Sequence, residues 1–412
     1  MIDDLIRVAQ RTEHVHYAVR DIVVLARQAQ QAGKELLYLN IGDPGLFDFP
    51  TPPHVIEAIC RALRDNQTSY APSEGLPAAI EAIREDAEQR CGIRAIQDIF
   101  VGSGCSECIE VALAALVDEG DGVLVPQPGY PLYSAVLGKL GAREQHYYLD
   151  EERGWQPDVA QLAQAIDART RAIVLINPNN PTGSVCDRET LEAILALAAK
   201  HKLVVLADEI YDRLVLEGRH IALASLRDDV PVVTFMGLSK VYLGPGLRLG
   251  WAVVSGPARP LAPYIDAMHK FLRARLSASH PVQHAVAPAL RGDHTHLEQA
   301  VAKLRTRRAL TLQLLNATPG IHCVAPAAAF YAFPRLLEER DDAGWVADLV
   351  RETGVVVVHG SGFGQRPGSA HFRVVFLPQE PTLRRALGNI GDFAARRHQR
   401  RVLTHSENAG LK

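Results

Sequence analysis

The chain has 412 residues, 47% of them hydrophobic and 22% charged, with a formal net charge of −3. This length exceeds a single ordinary hydrophobic core, so two domains are expected, and the composition is that of a soluble globular protein. The charge gives no attraction to nucleic acid or membrane. No apolar stretch reaches membrane-spanning length, and the acidic start Met1-Ile2-Asp3-Asp4 lacks a signal-peptide pattern, which makes the cytoplasm the expected location.

Taken in order, residues 1–35 read as an arm followed by an amphipathic helix over 17–31. A short strand over 37–44 closes in turn chemistry at Gly42-Asp43-Pro44, and Pro52-Pro53 opens a helix to about residue 64. A loop over 70–75 leads to a helix ending near residue 90. From there strands and helices alternate. Strands are expected at 99–101, 122–126, 171–176, 203–208, 232–235 and 249–254, with helices from 105 to 117, up to 140, and over 188–201. Strands that are apolar throughout and alternate with helices imply an α/β fold, with a mostly parallel sheet covered by helices on both faces. Residues 281–317 read as one long or broken helix interrupted near Gly292, and 325–393 as a second, smaller α/β unit. The basic end from Arg396 reads as a solvated, partly disordered tail.

Six cysteines are too sparse in this chain for a disulfide framework, which suggests a reducing compartment. Cys105-Ser106-Glu107-Cys108 is formally a Cys-x-x-Cys, but it stands alone at the start of an Ala/Leu-rich helix and is read as structural. The histidines are read as forming no His-x-x-x-His or His-Glu-x-x-His pattern; the alternating pairs His14/His16 and His294/His296 read as solvated positions, and no metal is expected.

Open parallel sheets bind ligands at the carboxyl ends of their strands. Here those ends carry Gly104-Cys105-Ser106, Tyr130, Asn180, Asp208 with Tyr211, Lys240, and Arg248 eight residues beyond it. Taken singly, Asp208 could cap a helix, Tyr211 could be core and Arg248 a surface charge. Taken together they match one ligand. The helix start at 104–106 offers free N–H groups to an anion, and Arg248 a bidentate partner for phosphate. Tyr130 offers a flat face, Asp208 a partner for a ring nitrogen, and Asn180 and Tyr211 hydrogen bonds to a phenolic oxygen. Lys240, at the end of a buried strand, can react with an aldehyde once its charge is suppressed. Pyridoxal 5'-phosphate carries all of these groups.

These segments resemble the class I aminotransferases of the pyridoxal-phosphate-dependent fold type I. Asn177-Pro178-Asn179-Asn180-Pro181-Thr182-Gly183, Asp208-Glu209-Ile210-Tyr211, Ser239-Lys240 and Arg248 match the family's signatures in identity and spacing over about residues 15–393. The resemblance implies that Gly104, Cys105, Ser106, Tyr130, Ser239 and Arg248 hold the cofactor. Within Asn40-Ile41-Gly42-Asp43-Pro44, Gly42 would line the substrate site with Asn180. Within His371-Phe372-Arg373-Val374-Val375, Arg373 would grip the substrate carboxylate. Tyr17 is a further candidate for the pocket, although a packing role explains it equally well. Tyr70 would reach the cofactor phosphate of a second subunit, which implies a homodimer with shared active sites. Gly237 departs from the family, where many relatives have a serine. The implied layout is 1–60 as arm and part of the small domain, 61–284 as the large cofactor-binding domain, and 285–412 as interdomain helix, small domain and tail.

The motifs look closest to the alanine aminotransferase branch. The expected activity is amino transfer between a small or apolar L-amino acid and a 2-oxo acid such as 2-oxoglutarate or pyruvate, with Lys240, Asp208 and Tyr211 as catalytic residues. A lyase or decarboxylase on the same fold, an aromatic amino acid transaminase and a non-catalytic ligand sensor stay open as alternatives. The intact Lys240 and the lack of a DNA-binding module weigh against the sensor.

Overall fold

A strand that is apolar at every position can be covered on both faces. The strand Val232–Gly237 shows how: Val233 and Phe235 enter one apolar core, and Val232 and Met236 the other. The structure, a computed structural model, describes residues 8–15 and 18–409, without the side chains of 14, 18–21 and 400–409.

The main sheet has eight strands: β1 Ile96–Gly102, β2 Gly122–Gln127, β3 Arg143–Asp150, β4 Gln156–Pro157, β5 Thr170–Ile176, β6 Val204–Asp208, β7 Val232–Gly237 and β8 Gly250–Ser255. Their order is β1-β8-β7-β6-β5-β2-β3-β4. The run from β7 through β6, β5 and β2 to β3 is parallel, β8 is antiparallel to both its neighbours, and β4 is antiparallel to β3. Helices Cys105–Ala114, Leu132–Leu140 and Ala258–Ala274 bury Ile109, Leu137 and Met268 in the core on one face. Helices Pro77–Gln89 and Arg188–His201 bury Ile83, Leu191 and Leu195 in the other. This is the expected mostly parallel, two-face-covered sheet.

Short strands from both ends of the chain build a smaller α/β unit. Leu37–Tyr38 pairs in parallel with Val355–Val356. Tyr331–Ala332 and Val358–His359 pair antiparallel with Phe372–Val375. The expected long helix is broken into His280–Gln283, Val286–Arg291 and Thr295–Asn316, with Gly292 at the second break.

Three features differ from expectation. β3 had no counterpart in the sequence reading, because only Tyr147 and Leu149 of its eight residues are buried and the apolar run that marks its neighbours is missing. The helix Ala258–Ala274 was hidden by Pro263 in its interior. The C-terminal segment is helical over Glu380–Ala409 rather than a loose tail. Its Arg397 meets Glu339 and Asp348, each at 2.8 Å, so one basic residue read as solvated finds acidic partners in the smaller unit. Among the described residues no helix is long and apolar enough to cross a membrane.

Arg307 joins distant parts of the chain. From the helix Thr295–Asn316, its buried guanidinium donates to both oxygens of Asp48, at 2.7 and 2.8 Å, and to the Leu377 carbonyl. Burial alone would raise the Asp48 pKa, but the bonds from Arg307 and Lys303 outweigh it and hold the carboxyl below its ordinary value. Asp48 keeps some solvent contact, which discounts the pair. Arg307→Met is therefore expected to destabilise the protein by about 1–3 kcal/mol. A carboxyl with a depressed pKa contributes stability above its unfolded pKa and loses it in acid. The gap in thermal midpoint between wild type and variant is therefore expected to close below about pH 4; equal midpoints at neutral pH would show that the pair contributes nothing.

Candidate active site

The ligand edge of the sheet is assembled by strand direction. β1, β2, β5, β6 and β7 all end there, and β8, running the other way, begins there. This corrects one expectation. Arg248 lies not at a carboxyl end but just ahead of the amino end of β8, and the turn after β7 returns it beside the segment that carries Lys240.

Lys240 Nζ donates to the Gly42 carbonyl at 2.7 Å and sits 5.8 Å from the centre of the Phe330 ring. Burial lowers its pKa to about 8, with Arg373 and Arg248 adding to the effect and Asp43 opposing it. Near neutral pH a usable fraction of this amine is free, which an ordinary lysine does not offer.

Asp208, the last residue of β6, is 4% exposed. Burial raises its carboxyl pKa to about 6, against the pull of bonds from the Ile210 N–H at 3.4 Å and the Tyr133 hydroxyl at 3.2 Å. A buried carboxyl of this kind is costly without a cationic partner. Tyr211, three residues on, is buried with its Oη 2.9 Å from that of Tyr331.

The Asn177–Gly183 turn is held by its own amides. Asn177 Oδ1 accepts from Cys186 N at 2.9 Å and Asn179 Oδ1 from Thr182 N at 3.1 Å, with cis peptide bonds before Pro178 and Pro181. This fixes Asn180, whose Oδ1 accepts from Arg373 Nη1 at 3.0 Å, while Arg373 Nη2 donates to the Asn40 carbonyl at 2.6 Å. The guanidinium carbon lies 4.7 Å from the ring centres of both Tyr331 and Phe363. Arg373 is thus buried, oriented and faced by two aromatic rings, as a planar carboxylate receptor requires.

At the other end of the site, Gly104 (φ +84°) precedes the helix Cys105–Ala114, and a Cβ there would lie 2.5 Å from Arg248 Nη2. The space is kept for the arginine. Arg248 itself has left-handed backbone (φ 51°, ψ 54°), a conformation costly for a residue with a side chain, and its guanidinium donates to the carbonyls of Pro245 and Ser103 at 3.1 and 3.3 Å. The Cys105 thiol is turned to the Met236 carbonyl at 2.9 Å, so the ligand edge is left its backbone. Ser106 follows in the first helical turn, and Ser239 is buried next to Lys240. Tyr130 lines a cavity of about 340 Å³ together with Tyr133 and Phe363. Gly237 has a steric reason: a Cβ would lie 2.8 Å from both the Gly250 Cα and the Leu249 carbonyl oxygen.

Tyr70, expected to reach a second subunit, is 81% exposed, and Tyr17 lies outside the described residues. His294 and His296 are not simply solvated. Both are half-buried, and the His296 ring lies 5.7 Å from that of Tyr242. His280 and His284 do have a four-residue spacing and stack at 5.3 Å, but no group of metal-ligand side chains able to hold an ion occurs among the described residues. Conversely, Tyr331, Tyr133, Asn40 and Phe363 were missed as site residues. Tyr133 had a signal, since it lies three positions from Tyr130 at helical spacing. Tyr331 had none, because its run Ala328-Ala329-Phe330-Tyr331-Ala332-Phe333 reads as plain core.

The donor set suits pyridoxal 5'-phosphate. A glycine-lined helix start beside Arg248 fits the phosphate, and the buried Asp208, whose hydrogen bonds only partly offset its burial, fits a cationic ring nitrogen. Tyr211 and Asn180 offer polar groups for a phenolic oxygen, and the pKa-depressed Lys240 fits the aldehyde. The fold and these residues define an enzyme of fold type I that works with this cofactor. Residues 34–390 match the family described as Aminotransferase class I and II. The chain is 40% identical over 378 residues to the alanine aminotransferase of Mycobacterium tuberculosis, covering 89% of this chain and 87% of that protein. It is 37% identical over 402 residues to the glutamate-pyruvate aminotransferase AlaA of Escherichia coli, covering 95% and 98%. The solved alanine aminotransferase of Pyrococcus furiosus superposes with a TM-score of 0.92 at 39% identity, covering 95% of this chain and all of that one. The chain belongs to the class I and II aminotransferases, enzymes that use pyridoxal phosphate.

The buried Asp208 carboxyl yields a prediction about the protein without cofactor. A carboxyl whose folded pKa lies above its unfolded one destabilises the fold at neutral pH, and the cost disappears in acid. Asp208→Asn is therefore expected to raise the thermal midpoint of the cofactor-free protein at pH 7.5, by an amount equivalent to about 2–3 kcal/mol, and to leave it unchanged near pH 3.5. A lower midpoint at pH 7.5 would mean that the Tyr133 and Ile210 bonds outweigh desolvation.

Proposed function

We propose that this aminotransferase moves an amino group between a small or apolar L-amino acid, alanine first, and a 2-oxo acid such as pyruvate or 2-oxoglutarate. The observation that carries the chemistry is the placement of a pKa-depressed lysine, a buried carboxyl group and an aromatic-flanked arginine at one sheet edge. The choice of alanine is supported by the names of the relatives, two alanine aminotransferases and a glutamate-pyruvate aminotransferase.

In this reading, the N–H groups of Gly104, Cys105 and Ser106 would hold the cofactor phosphate with Arg248 and Ser239. Tyr130 would offer its face to the cofactor ring. Asp208 would favour a protonated ring nitrogen, and Asn180 and Tyr211 would bond its phenolic oxygen. Bound there, pyridoxal phosphate supplies an aldehyde for the amino group and a ring that accepts electrons. Arg373 binds the substrate carboxylate, with Asn180 and the Gly42 backbone fixing its plane. Burial of Tyr331 and Phe363 beside Arg373 excludes water and strengthens that bond. Lys240, as the free amine, would take the proton from the substrate α-carbon and, as general acid, pass it on to the cofactor rather than back to the same carbon.

The same reading includes a homodimer, supported by Tyr70, a large aromatic side chain that this chain leaves exposed. It includes a cytoplasmic location, supported by six free cysteines. It divides the chain into 1–60, 61–284 and 285–412, an assignment supported by the pairing of Leu37–Tyr38 with Val355–Val356.

The test is the visible spectrum of the purified, cofactor-loaded protein with amino acids added one at a time. Alanine is expected to replace the visible band by the absorbance of the amine form of the cofactor, and pyruvate to restore it. Release of ammonia without the amine form would indicate a lyase, and a faster response to tyrosine or phenylalanine an aromatic transaminase. Lys240→Ala is expected to slow turnover by at least about 10³-fold, within the range lost with a general acid–base group.

The lysine also sets a pH dependence. The free-amine fraction rises tenfold per pH unit below the pKa, so the initial rate of cofactor uptake by cofactor-free protein is expected to rise to about pH 8 and then level off. A rate that keeps rising to roughly pH 10, as for an ordinary lysine, would show that burial does not depress this amine in solution.

A further inference from the structure

Tyr331 touches three of the residues that the proposed site depends on, and the mechanism above gives its hydroxyl nothing to do. It lies on the strand Tyr331–Ala332 of the smaller unit, in register with Val375, and is 2% exposed. Its hydroxyl oxygen is 2.9 Å from that of Tyr211. Its ring centre is 4.7 Å from the Arg373 guanidinium carbon. It also occupies the space above Gly42, where a Cβ would come within 2.3 Å of the hydroxyl.

The chemistry of two phenols sharing one hydrogen bond restricts what each can do. Burial, and then the neighbouring Tyr331, raise the pKa of Tyr211 well above its ordinary value, so Tyr211 stays neutral in the working range and Asp208 nearby reinforces this. Arg373 and Lys240 are the cations facing the same space. A neutral phenol has one proton to give. If Tyr211 gave it to Tyr331, it would have none for another acceptor. If Tyr331 is the donor, the Tyr211 proton is free to point elsewhere, and Tyr211 becomes a stronger donor because it is itself accepting a bond.

We propose that Tyr331 is a positioning residue with two functions: its hydroxyl donates to Tyr211, which aims the Tyr211 proton at the phenolic oxygen of the cofactor, and its ring holds the Arg373 guanidinium in the plane that receives the substrate carboxylate. This rests on the reading of the site given above. It also ties the residue that receives the substrate to the residue that tunes the cofactor, through one side chain of the smaller unit. Loss of the Tyr331 hydroxyl weakens Tyr211 as a donor, leaves more negative charge on the phenolic oxygen, and so favours the protonated form of the bound chromophore.

The experiment uses the cofactor-loaded protein as wild type, Tyr331→Phe, Tyr331→Leu and Tyr211→Phe. Two quantities are measured: the pH midpoint of the visible absorbance without substrate, and kcat and KM for alanine. Tyr331→Phe is expected to raise the midpoint by about 0.5 unit, the size of one modest hydrogen bond, with KM for alanine changed less than about twofold because the ring and its contact with Arg373 stay. Tyr211→Phe is expected to move the midpoint in the same direction and further. Tyr331→Leu is expected to repeat the midpoint shift and to raise KM by about 5- to 20-fold, through loss of the ring beneath Arg373; Tyr331→Met serves as a second ringless variant if the leucine protein does not fold. A general loosening of the site would lower kcat without moving the midpoint.

If Tyr211→Phe moves the midpoint and Tyr331→Phe leaves it within 0.1 unit (about the precision of such a titration), the proposal is overturned and the assigned function stands. If neither variant moves it, the role given to Tyr211 fails and this proposal fails with it. If the wild-type protein, mixed with pyridoxal phosphate and then freed of the unbound cofactor, retains no visible band, the reading of the site itself is overturned.

Discussion

An amine and a carboxyl group, Lys240 and Asp208, are both withdrawn from water at one edge of one sheet. Burial pushes their pKa values toward each other, down to about 8 and up to about 6. Each shift records a cost that the folded chain carries before any ligand arrives. The surrounding features limit that cost without cancelling it. The Gly42 carbonyl accepts from the amine, and Tyr133 and the Ile210 N–H donate to the carboxyl. The remaining electrostatic imbalance is one that a ligand with a cationic ring and an electrophilic aldehyde would relieve on binding.

The receptor proposed for the substrate draws on three separate parts of the chain. Arg373 comes from the smaller unit, Asn180 from the turn after β5, and the carbonyl of Asn40 from the N-terminal segment. The paired strands Leu37–Tyr38 and Val355–Val356, and the grip of Arg307 on Asp48, hold these parts in register. A substrate carboxylate at Arg373 therefore meets a geometry that depends on the N-terminal segment, the main sheet and the smaller unit at once. This is the physical sense in which remote packing contributes to catalytic positioning.

How much of this was legible in the sequence follows from the range of each interaction. Lys240 and Arg248, Asp208 and Tyr211, and the Asn177–Gly183 turn are each encoded within a few residues, and all of them lie at the sheet edge. The apolar runs of β5, β6 and β7 announced a sheet covered on both faces, because each strand needs no partner to reveal its character. β3 was silent because its burial depends on what packs against it and not on its own composition. Tyr331 was silent for a deeper reason. Its bond to Tyr211 spans 120 positions, and nothing near it distinguishes a hydroxyl with a task from a tyrosine in the core. The tail was misread because solvation was inferred from charge alone, while acidic partners for Arg397 lay some fifty residues away in sequence.

The reversal of β8 has a consequence for what the chain can tolerate. In a sheet with all strands parallel, the next group at this edge would arrive only after a crossover of a dozen or more residues. Because β8 runs back beside β7, a short turn carries the chain from Lys240 to Arg248, with its exit set by the left-handed backbone at Arg248. The two groups read as the aldehyde partner and the phosphate partner are thus spaced by the length of that one turn. Insertions are commonly absorbed by surface loops, but a single residue added between Lys240 and Arg248 would change the spacing the site measures. In this architecture the length of one turn, as much as the identity of any side chain, sets the distance between the groups that would hold the aldehyde and the phosphate.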